Sequence, residues 1–178
     1  MLFGNPLTLQ QRAALGSIVV ECAKLEDRLD IMITHLFRLS GDQYDILLGG
    51  VMLNRKLEVL RQIGKLKIKP KKRLERLIEI LDKISNLNAD RVTVVHGIWG
   101  PPGGLYQLNW LIRSTFPPGI PVEARHKKSG KVRTFKAEDL AATAKALEDA
   151  NTDLEHWWSR DIVKPYVKRA VKRSKKRS

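Results

Sequence analysis

The apolar residues in the first part of the chain recur at the three- and four-residue spacing of an amphipathic helix. Charged residues fall between these apolar positions, which are Leu15, Ile18, Cys22, Leu25, Leu29, Met32 and Leu36. A helix with 3.6 residues per turn places such positions on one face. Ser40 and Gly41 follow, and glycine is common just past a helix end. The pattern predicts one long helix over residues 9–39.

A second, less regular helical stretch is predicted over residues 44–66. Gly49 and Gly50 interrupt its pattern, and Asn54 is of a type that caps helix starts, so we expect the helix to restart at Arg55. A third helix is predicted from Pro70, because proline fits the first turn of a helix.

The apolar stripe of the third helix continues to about His96, and Gly97 is the expected terminator. Residues 92–95 read Val-Thr-Val-Val, a β-branched run that by itself favours a strand. The stripe nevertheless keeps its helical phase through Leu87, Val94 and Ile98, so we predict a helix here.

After Gly97 the pattern changes to that of strands and turns. Residues 100–104 are rich in glycine and proline and predict a loop, and the alternation over residues 106–113 predicts a strand. Residues 122–126 and 132–135 predict a hairpin. A last helix is expected over residues 137–160, with these residues along one side: Leu140, Ala144, Leu147, Leu154 and Trp158.

Together these elements predict a mainly α fold, an antiparallel helical bundle with a small β-meander (about residues 104–135) inserted before the last helix. Short helix–helix connections favour antiparallel neighbours. Residues 1–163 are expected to form a single domain, and residues 164–178 a basic C-terminal tail.

The charge of the chain indicates a protein that binds polyanions. The formal net charge is +14, and the tail supplies eight of these charges. Release of counterions makes nucleic acid the commonest partner of such a surface, and we expect RNA. The alternatives are a solubilising face or an anionic protein partner. The candidate nucleic-acid-binding residues are Lys69, Lys71, Lys72, Arg73, Lys168, Arg169, Lys172 and Arg173.

Other classes of protein are disfavoured by composition. Cys22 is the only cysteine, so no intrachain disulfide and no thiolate metal cluster is expected. No apolar run is long enough for a membrane span, and the first residues lack the features of a signal peptide. We therefore expect a cytoplasmic protein that does not associate with membranes and has neither metal nor cofactor.

Candidate chemistry is concentrated in Arg91 and His96. Arg91 occupies a position of the third helix's stripe where an apolar residue is expected, and His96 follows five residues later. A histidine exchanges protons near neutral pH, and a guanidinium matches phosphate oxygens. The pair is sufficient to cleave RNA through its own 2′-hydroxyl without a metal. Because five helical residues span about 140° of net rotation, two copies across a two-fold axis are needed to form one cleft.

The segment around this pair resembles the HEPN superfamily. The residues that carry the resemblance are the run Asn88-Ala-Asp-Arg91-Val-Thr-Val-Val-His96-Gly-Ile-Trp99, which fits the family's R-x4-6-H signature, and Leu53-Asn-Arg-Lys-Leu-Glu-Val-Leu. The likeness extends loosely over residues 10–160, and only the short motif is specific. It implies an all-α homodimer with a composite cleft and metal-independent ribonuclease activity, often in toxin–antitoxin or phage-defence settings, with Arg91 and His96 as the catalytic pair.

Several alternatives stay open. Val92 stands where the family usually has a polar residue, which favours a bundle that binds RNA without cleaving it; Asn88 or Thr93 is the candidate to supply the missing polar group. Arg91 can instead be explained by an ion pair with Asp90 or Glu26, and His96 by a role at the helix end. A third hypothesis is an interaction subunit whose tail binds an antitoxin or a nucleotidyltransferase. Tyr106 and Trp110 either stack on bases or pack in the core.

Overall fold

The computed structural model describes residues 7–100, 122–126 and 132–168, and these are mainly helical, which confirms the predicted fold class. The helices are α1 (Leu9–Phe37), α2 (Gly41–Leu48), α3 (Leu53–Lys67), α4 (Lys71–His96) and α5 (Ala137–Trp158); the strands are β1 (Gly97–Gly100), β2 (Val122–His126) and β3 (Val132–Phe135). A π-helical stretch, Ser159–Val163, follows α5, and the chain stays helical through residue 168. The predicted tail therefore begins as helix.

The described residues divide into two compact units. The sheet unit contains the residues up to Cys22 together with Asn86–Glu148, and the bundle unit contains Ala23–Ser85 together with the residues from Asp149 onward. The core of the bundle unit is formed mainly by leucine and isoleucine from α1, α3, α4 and α5, together with Met32, Ala150 and Trp157.

Neighbouring helices of the bundle unit run antiparallel at two interfaces. Between α4 and α5, the Trp157 indole Nε1 donates to the Arg73 carbonyl oxygen over 3.0 Å, and Lys83 pairs with Asp153. Contacts that advance along α4 while they retreat along α5 require opposite helix directions. An antiparallel pair is thus formed by two helices that the β-strands separate in sequence.

The same argument applies to α3 and α4. Arg61 pairs with Asp82 at 2.5 Å, and a Cβ added to Gly64 would lie 3.1 Å from a δ-methyl of Leu77. These positions also advance in opposite senses, as the short link between the two helices requires. Gly64 is buried, and its missing side chain allows this close approach.

By contrast, α1 and α5 run in the same direction. Arg28 pairs with Glu155, and the His35 ring contacts the Trp158 ring edge-on with centroids 5.2 Å apart. Because α5 opposes α4 and α4 opposes α3, α1 and α3 share one direction as well. The chain between them therefore reverses twice, and the short helix α2 occupies that connection.

The end of α1 differs from the sequence prediction in its turn chemistry. The helix ends at Phe37, and Arg38 takes the left-handed conformation, with φ 59°. The Arg38 and Leu39 amides donate to the carbonyls of His35 and Thr34, which is the Schellman pattern. The prediction that Gly41 terminates α1 was wrong, since Gly41 is the first residue of α2.

Ser40 begins the next helix instead of ending the first. Its hydroxyl accepts from the Gln43 amide while the Gln43 side chain accepts from the Ser40 amide, a complete capping box. We expect Ser40→Ala to lower the free energy of unfolding by about 1 kcal/mol, measured by urea denaturation. Ser40→Thr keeps the acceptor and is the control; an equal loss in both variants would contradict the role of the cap.

Two other expectations were corrected by packing. α3 begins at Leu53, with Met52 at the cap position, so Asn54 lies within the first turn and does not cap a start at Arg55. In the last helix Trp157, and not Trp158, is the fully buried ring. Its indole needs a hydrogen-bond partner in the core, and the Arg73 carbonyl supplies one.

The sheet unit contains a three-stranded antiparallel sheet in the order β1-β2-β3. Gly97 pairs with His126 between β1 and β2, and Val122 pairs with Phe135 between β2 and β3, which confirms the predicted hairpin. β1 was not predicted, since its four residues directly follow the end of α4. The strand predicted over residues 106–113 lies outside the described residues, as do Tyr106 and Trp110.

Candidate functional site

Arg91 and His96 both lie on the last turns of α4, in the sheet unit. His96 is the final residue of the helix and is exposed, whereas Arg91 is half-buried and its Nε atom is fully covered. The β-branched residues before His96 are helical, as the stripe predicted, and Val94 is buried. Helical geometry separates the two positions by about 7.5 Å along the axis and about 140° around it.

Gly97 lets the chain leave the helix immediately after His96. The strand that begins there pairs with β2, so the His96 position is set at a junction of helix and sheet. A junction fixed by ladder hydrogen bonds on one side and helical hydrogen bonds on the other holds its backbone more firmly than a free helix end does. An exposed imidazole on such a junction is accessible to a substrate or a second subunit.

Asp90, the carboxylate next to Arg91, is engaged by a different guanidinium. Arg133 of β3 forms an ion pair with it. Both partners are substantially exposed, so this pair is expected to contribute little to stability. The pair ties β3 to α4 beside Arg91.

The two residues predicted to support the pair have different surroundings. Asn88 is buried, with 4% of its surface exposed, and precedes Arg91 by three residues, which places the two on one face of α4. The Thr93 hydroxyl donates to the Ala89 carbonyl within the helix, at 3.4 Å. Of the two, Asn88 is the one that the helix places beside Arg91.

The basic residues predicted to bind nucleic acid lie in the bundle unit, as far as they are described. Lys69 precedes α4, and Lys71, Lys72 and Arg73 form its first turn. Lys71 reaches Glu75 at 3.7 Å, and both side chains are exposed. Lys168 is exposed at the end of the described helix. Arg169, Lys172 and Arg173 lie outside the described residues.

Arg73 has a structural role that the sequence did not reveal. Its guanidinium donates to the Asp161 carbonyl oxygen at 3.0 Å and lies 3.5 Å from the Asp161 carboxylate. Arg160 binds the same carboxylate at 2.6 Å, and this contact raises the pKa of Arg160. The buried Asp161 carboxylate is thus held between two guanidinium groups.

Beside this cluster lies a cavity of about 700 Å³ that includes residues sequence reasoning missed. They are His35, Arg38, Lys67 and Tyr166. Lys67 lies two residues before Lys69, which the sequence analysis selected, but Arg38 and Tyr166 had no signal in the sequence. A left-handed residue at a helix end and a π-helical turn, which together bring these two side chains to one cavity, are not readable from residue periodicity.

In the described part of the chain, no cluster of three or more histidine, cysteine or carboxylate side chains is arranged to hold a metal ion. None of the described helices combines the length and the apolar character that crossing a bilayer requires.

We found no match for the chain among protein-family models, curated protein sequences or solved structures. We therefore infer the function from the residues of this chain alone.

Proposed function

We propose that the protein is a homodimeric, metal-independent endoribonuclease of the HEPN type, with Arg91 and His96 as its catalytic pair. One observation carries the proposal: α4 ends at an exposed histidine, five residues after a half-buried arginine with a buried asparagine on the same face. An arginine whose stem is packed presents its head in a restricted range of directions, as phosphate recognition needs.

The proposed reaction uses the substrate's own nucleophile. A ribose 2′-oxygen loses its proton to His96 and attacks the adjacent phosphorus, and the bond from phosphorus to the 5′-oxygen breaks. The 5′-oxygen takes a proton from solvent, and His96 returns its own proton to solvent. The Arg91 guanidinium stabilises the charge that develops on the phosphoryl oxygens. The products are a 2′,3′-cyclic phosphate and a 5′-hydroxyl, so protons and bonds balance without a metal.

Helical geometry makes the dimer part of the proposal. The two side chains leave one α4 in directions about 140° apart, which is unfavourable for gripping one phosphate. A two-fold axis near the end of α4 would let the Arg91 of one subunit and the His96 of the other face the same substrate. The exposure of His96 is compatible with such an arrangement.

The proposal predicts cleavage that depends on the ribose and not on a metal. We expect the purified protein to cleave a single-stranded RNA in EDTA and to leave the DNA of the same sequence intact. An oligonucleotide with one ribose in a deoxyribose background should be cut only after that ribose. Cleavage that requires a divalent cation, or no cleavage of any RNA by folded protein, would contradict it.

A second candidate is a non-catalytic RNA-binding protein of the same fold. It is favoured by Val92, an apolar, half-buried side chain where the HEPN superfamily usually has a polar residue. The basic residues in the bundle unit also favour it. This candidate predicts RNA binding that weakens steeply as salt increases, with no products formed. The EDTA experiment separates the two candidates directly.

A further inference from the structure

A pair of adjoining cavities in the bundle unit is built from the end of α1, the link between α3 and α4, and the helical segment after α5. The first has a volume of about 700 Å³ and the second of about 840 Å³, and they share His35, Arg38 and Tyr166. Each volume is in the range of pockets that hold small ligands. We call this pair the Tyr166 cleft.

The first cavity of the Tyr166 cleft is strongly cationic. Arg38, Lys67 and Lys69 line it, together with Arg73 and one carboxylate, Asp161. That carboxylate is already held by Arg73 and Arg160. Within the described residues Arg38, Lys67 and Lys69 form no ion pair, so three positive charges face the cavity without a compensating carboxylate. Such an excess favours an anionic ligand.

Arginine at position 38 is unfavourable for the stability of the fold. It occupies the left-handed position of the Schellman motif, where glycine is usual because a side chain there is strained. Arg38 forms no ion pair in the described chain that would offset this strain. Its exposed guanidinium lies where both cavities meet. Strained backbone of this kind is concentrated at ligand sites.

Aromatic rings complete the cleft. The His35 ring contacts Tyr166 and Trp158 edge-on, at 6.0 and 5.2 Å between centroids. Tyr166 retains 61% of its surface exposed although its ring contacts His35. An exposed aromatic ring next to cations is the arrangement on which unpaired bases stack in single-strand-binding proteins.

We infer that the Tyr166 cleft binds single-stranded nucleic acid. Arg38, Lys67 and Lys69 bind successive phosphates, and Tyr166 stacks on a base between them. The second cavity is lined by one carboxylate, Asp30, which is paired with Lys56. The two adjoining cavities accommodate a strand of at least two nucleotides, and a base paired in a duplex cannot reach the ring. The inference rests on the proposed function for its substrate class, but it places binding on residues distinct from Arg91 and His96.

The test uses a probe that cannot be cleaved through a 2′-hydroxyl. The binding result therefore does not depend on whether the protein cleaves RNA. Fluorescence anisotropy is measured with a fluorescein-labelled single-stranded oligothymidylate DNA in EDTA over a series of salt concentrations. The variant R38G/K67A/K69A removes three charges from the cleft. The variant R12A/R55A/R76A removes three exposed charges that do not line it, and is the matched control.

We expect the cleft variant to bind at least about tenfold more weakly and to lower the salt slope by about two, since each single-strand phosphate contact contributes about 0.7. The control should stay within about threefold of the wild type. Glycine removes the strain at position 38, so R38G alone should keep or raise the melting temperature while binding weakens. Equal losses in cleft and control variants would overturn the inference.

Tyr166 separates stacking from attraction by charge. Y166A should weaken binding by about tenfold and Y166F should not, because base stacking on an aromatic ring is worth about 1–3 kcal/mol. The labelled strand is also competed with a duplex of the same length, AMP and inorganic phosphate. Equal competition by duplex would indicate charge alone, and stronger competition per phosphate by AMP would indicate a mononucleotide site; either result would overturn a single-strand site.

Discussion

His96→Ala is expected to slow RNA cleavage by about two to four orders of magnitude, the usual contribution of a positioned acid–base group. The imidazole lies exposed at the end of α4, where it can reach a substrate. Its removal leaves the helix core, including Val94, unchanged. The measurement is the rate at which end-labelled RNA is cleaved in EDTA, with circular dichroism to confirm the fold.

His156→Ala is the matched control for this experiment. His156 is also an exposed histidine in the last turn of its helix, α5. It belongs to the bundle unit and not to the proposed catalytic pair. We expect cleavage by this variant to stay within about twofold of the wild type, because loss of an exposed side chain is usually tolerated. An equal loss in both variants would point to a nonspecific effect.

Arg91 provides a second probe of the same chemistry. Arg91→Lys keeps the charge but loses the planar fork that binds two phosphoryl oxygens, so we expect cleavage to fall by at least about tenfold. A lysine that supports full activity would show that only charge is needed at position 91. Because Arg91 is half-buried, thermal melting must accompany the activity measurement.

Asp30→Ala should be the most damaging of the polar substitutions to stability, with an expected loss of about 3–5 kcal/mol in the free energy of unfolding. The Lys56 Nζ lies 2.7 Å from Asp30 Oδ2, and the Lys56 side chain is only 7% exposed. Without the carboxylate, a nearly buried ammonium group loses the counter-charge that lies 2.7 Å away. Urea denaturation measures the loss.

The reciprocal variant should behave differently. Lys56→Met fills similar volume without burying a charge and leaves Asp30, which is 27% exposed, partly hydrated, so we expect a much smaller loss. Asp30 also affects Tyr44, whose pKa is raised by burial and by the neighbouring Asp30 carboxylate. Removing Asp30 should therefore lower the pKa of Tyr44, which absorbance titration of the folded protein detects.

Asp153→Ala is the control for the buried pair. Asp153 pairs with Lys83 at 3.1 Å, but both side chains are exposed, by 45% and 43%. Exposed ion pairs typically contribute less than about 1 kcal/mol. If Asp30→Ala cost no more than Asp153→Ala, the interaction of Lys56 with Asp30 would be weaker than its burial implies.

Periodicity predicted the long helices because the residues on their buried face are apolar and recur at helical spacing. Ile18, Leu25 and Leu29 of α1 and Leu77 and Ile84 of α4 are all fully buried, as their spacing required. The same stripe correctly overrode the strand propensity of residues 92–95, since α4 extends to His96. Tertiary packing of an apolar face outweighs the propensity of a few residues.

Features that depend on local geometry could not be predicted. The left-handed Arg38 closes α1 where glycine is usual, so a rule based on glycine placed the end too late. Trp157 and Trp158 differ in burial because of packing against α4, which periodicity alone does not resolve between adjacent residues. β1 is too short for its alternation to be recognised before it pairs with β2.

One of the two candidate sites could be predicted from the sequence, and most of the other could not. Residue chemistry and spacing were enough to select Arg91 and His96, and the structure places the histidine exposed at the predicted helix end. The Tyr166 cleft depends on residues from three separated segments that folding brings together. Of its lysines, Lys69 was selected from the sequence, whereas the contribution of Arg38 and Tyr166 required the tertiary structure.

In the proposed dimer, an arginine of one subunit and a histidine of its partner act on the same phosphate. Subunits that carry Arg91→Ala and subunits that carry His96→Ala are each purified, and mixed dimers are prepared by co-expression with two different affinity tags. We expect both parent homodimers to be inactive. The mixed dimer, which retains one arginine and one histidine from opposite subunits, should regain cleavage of RNA in EDTA. A mixed dimer as inactive as its parents, beside an active wild type, would contradict it.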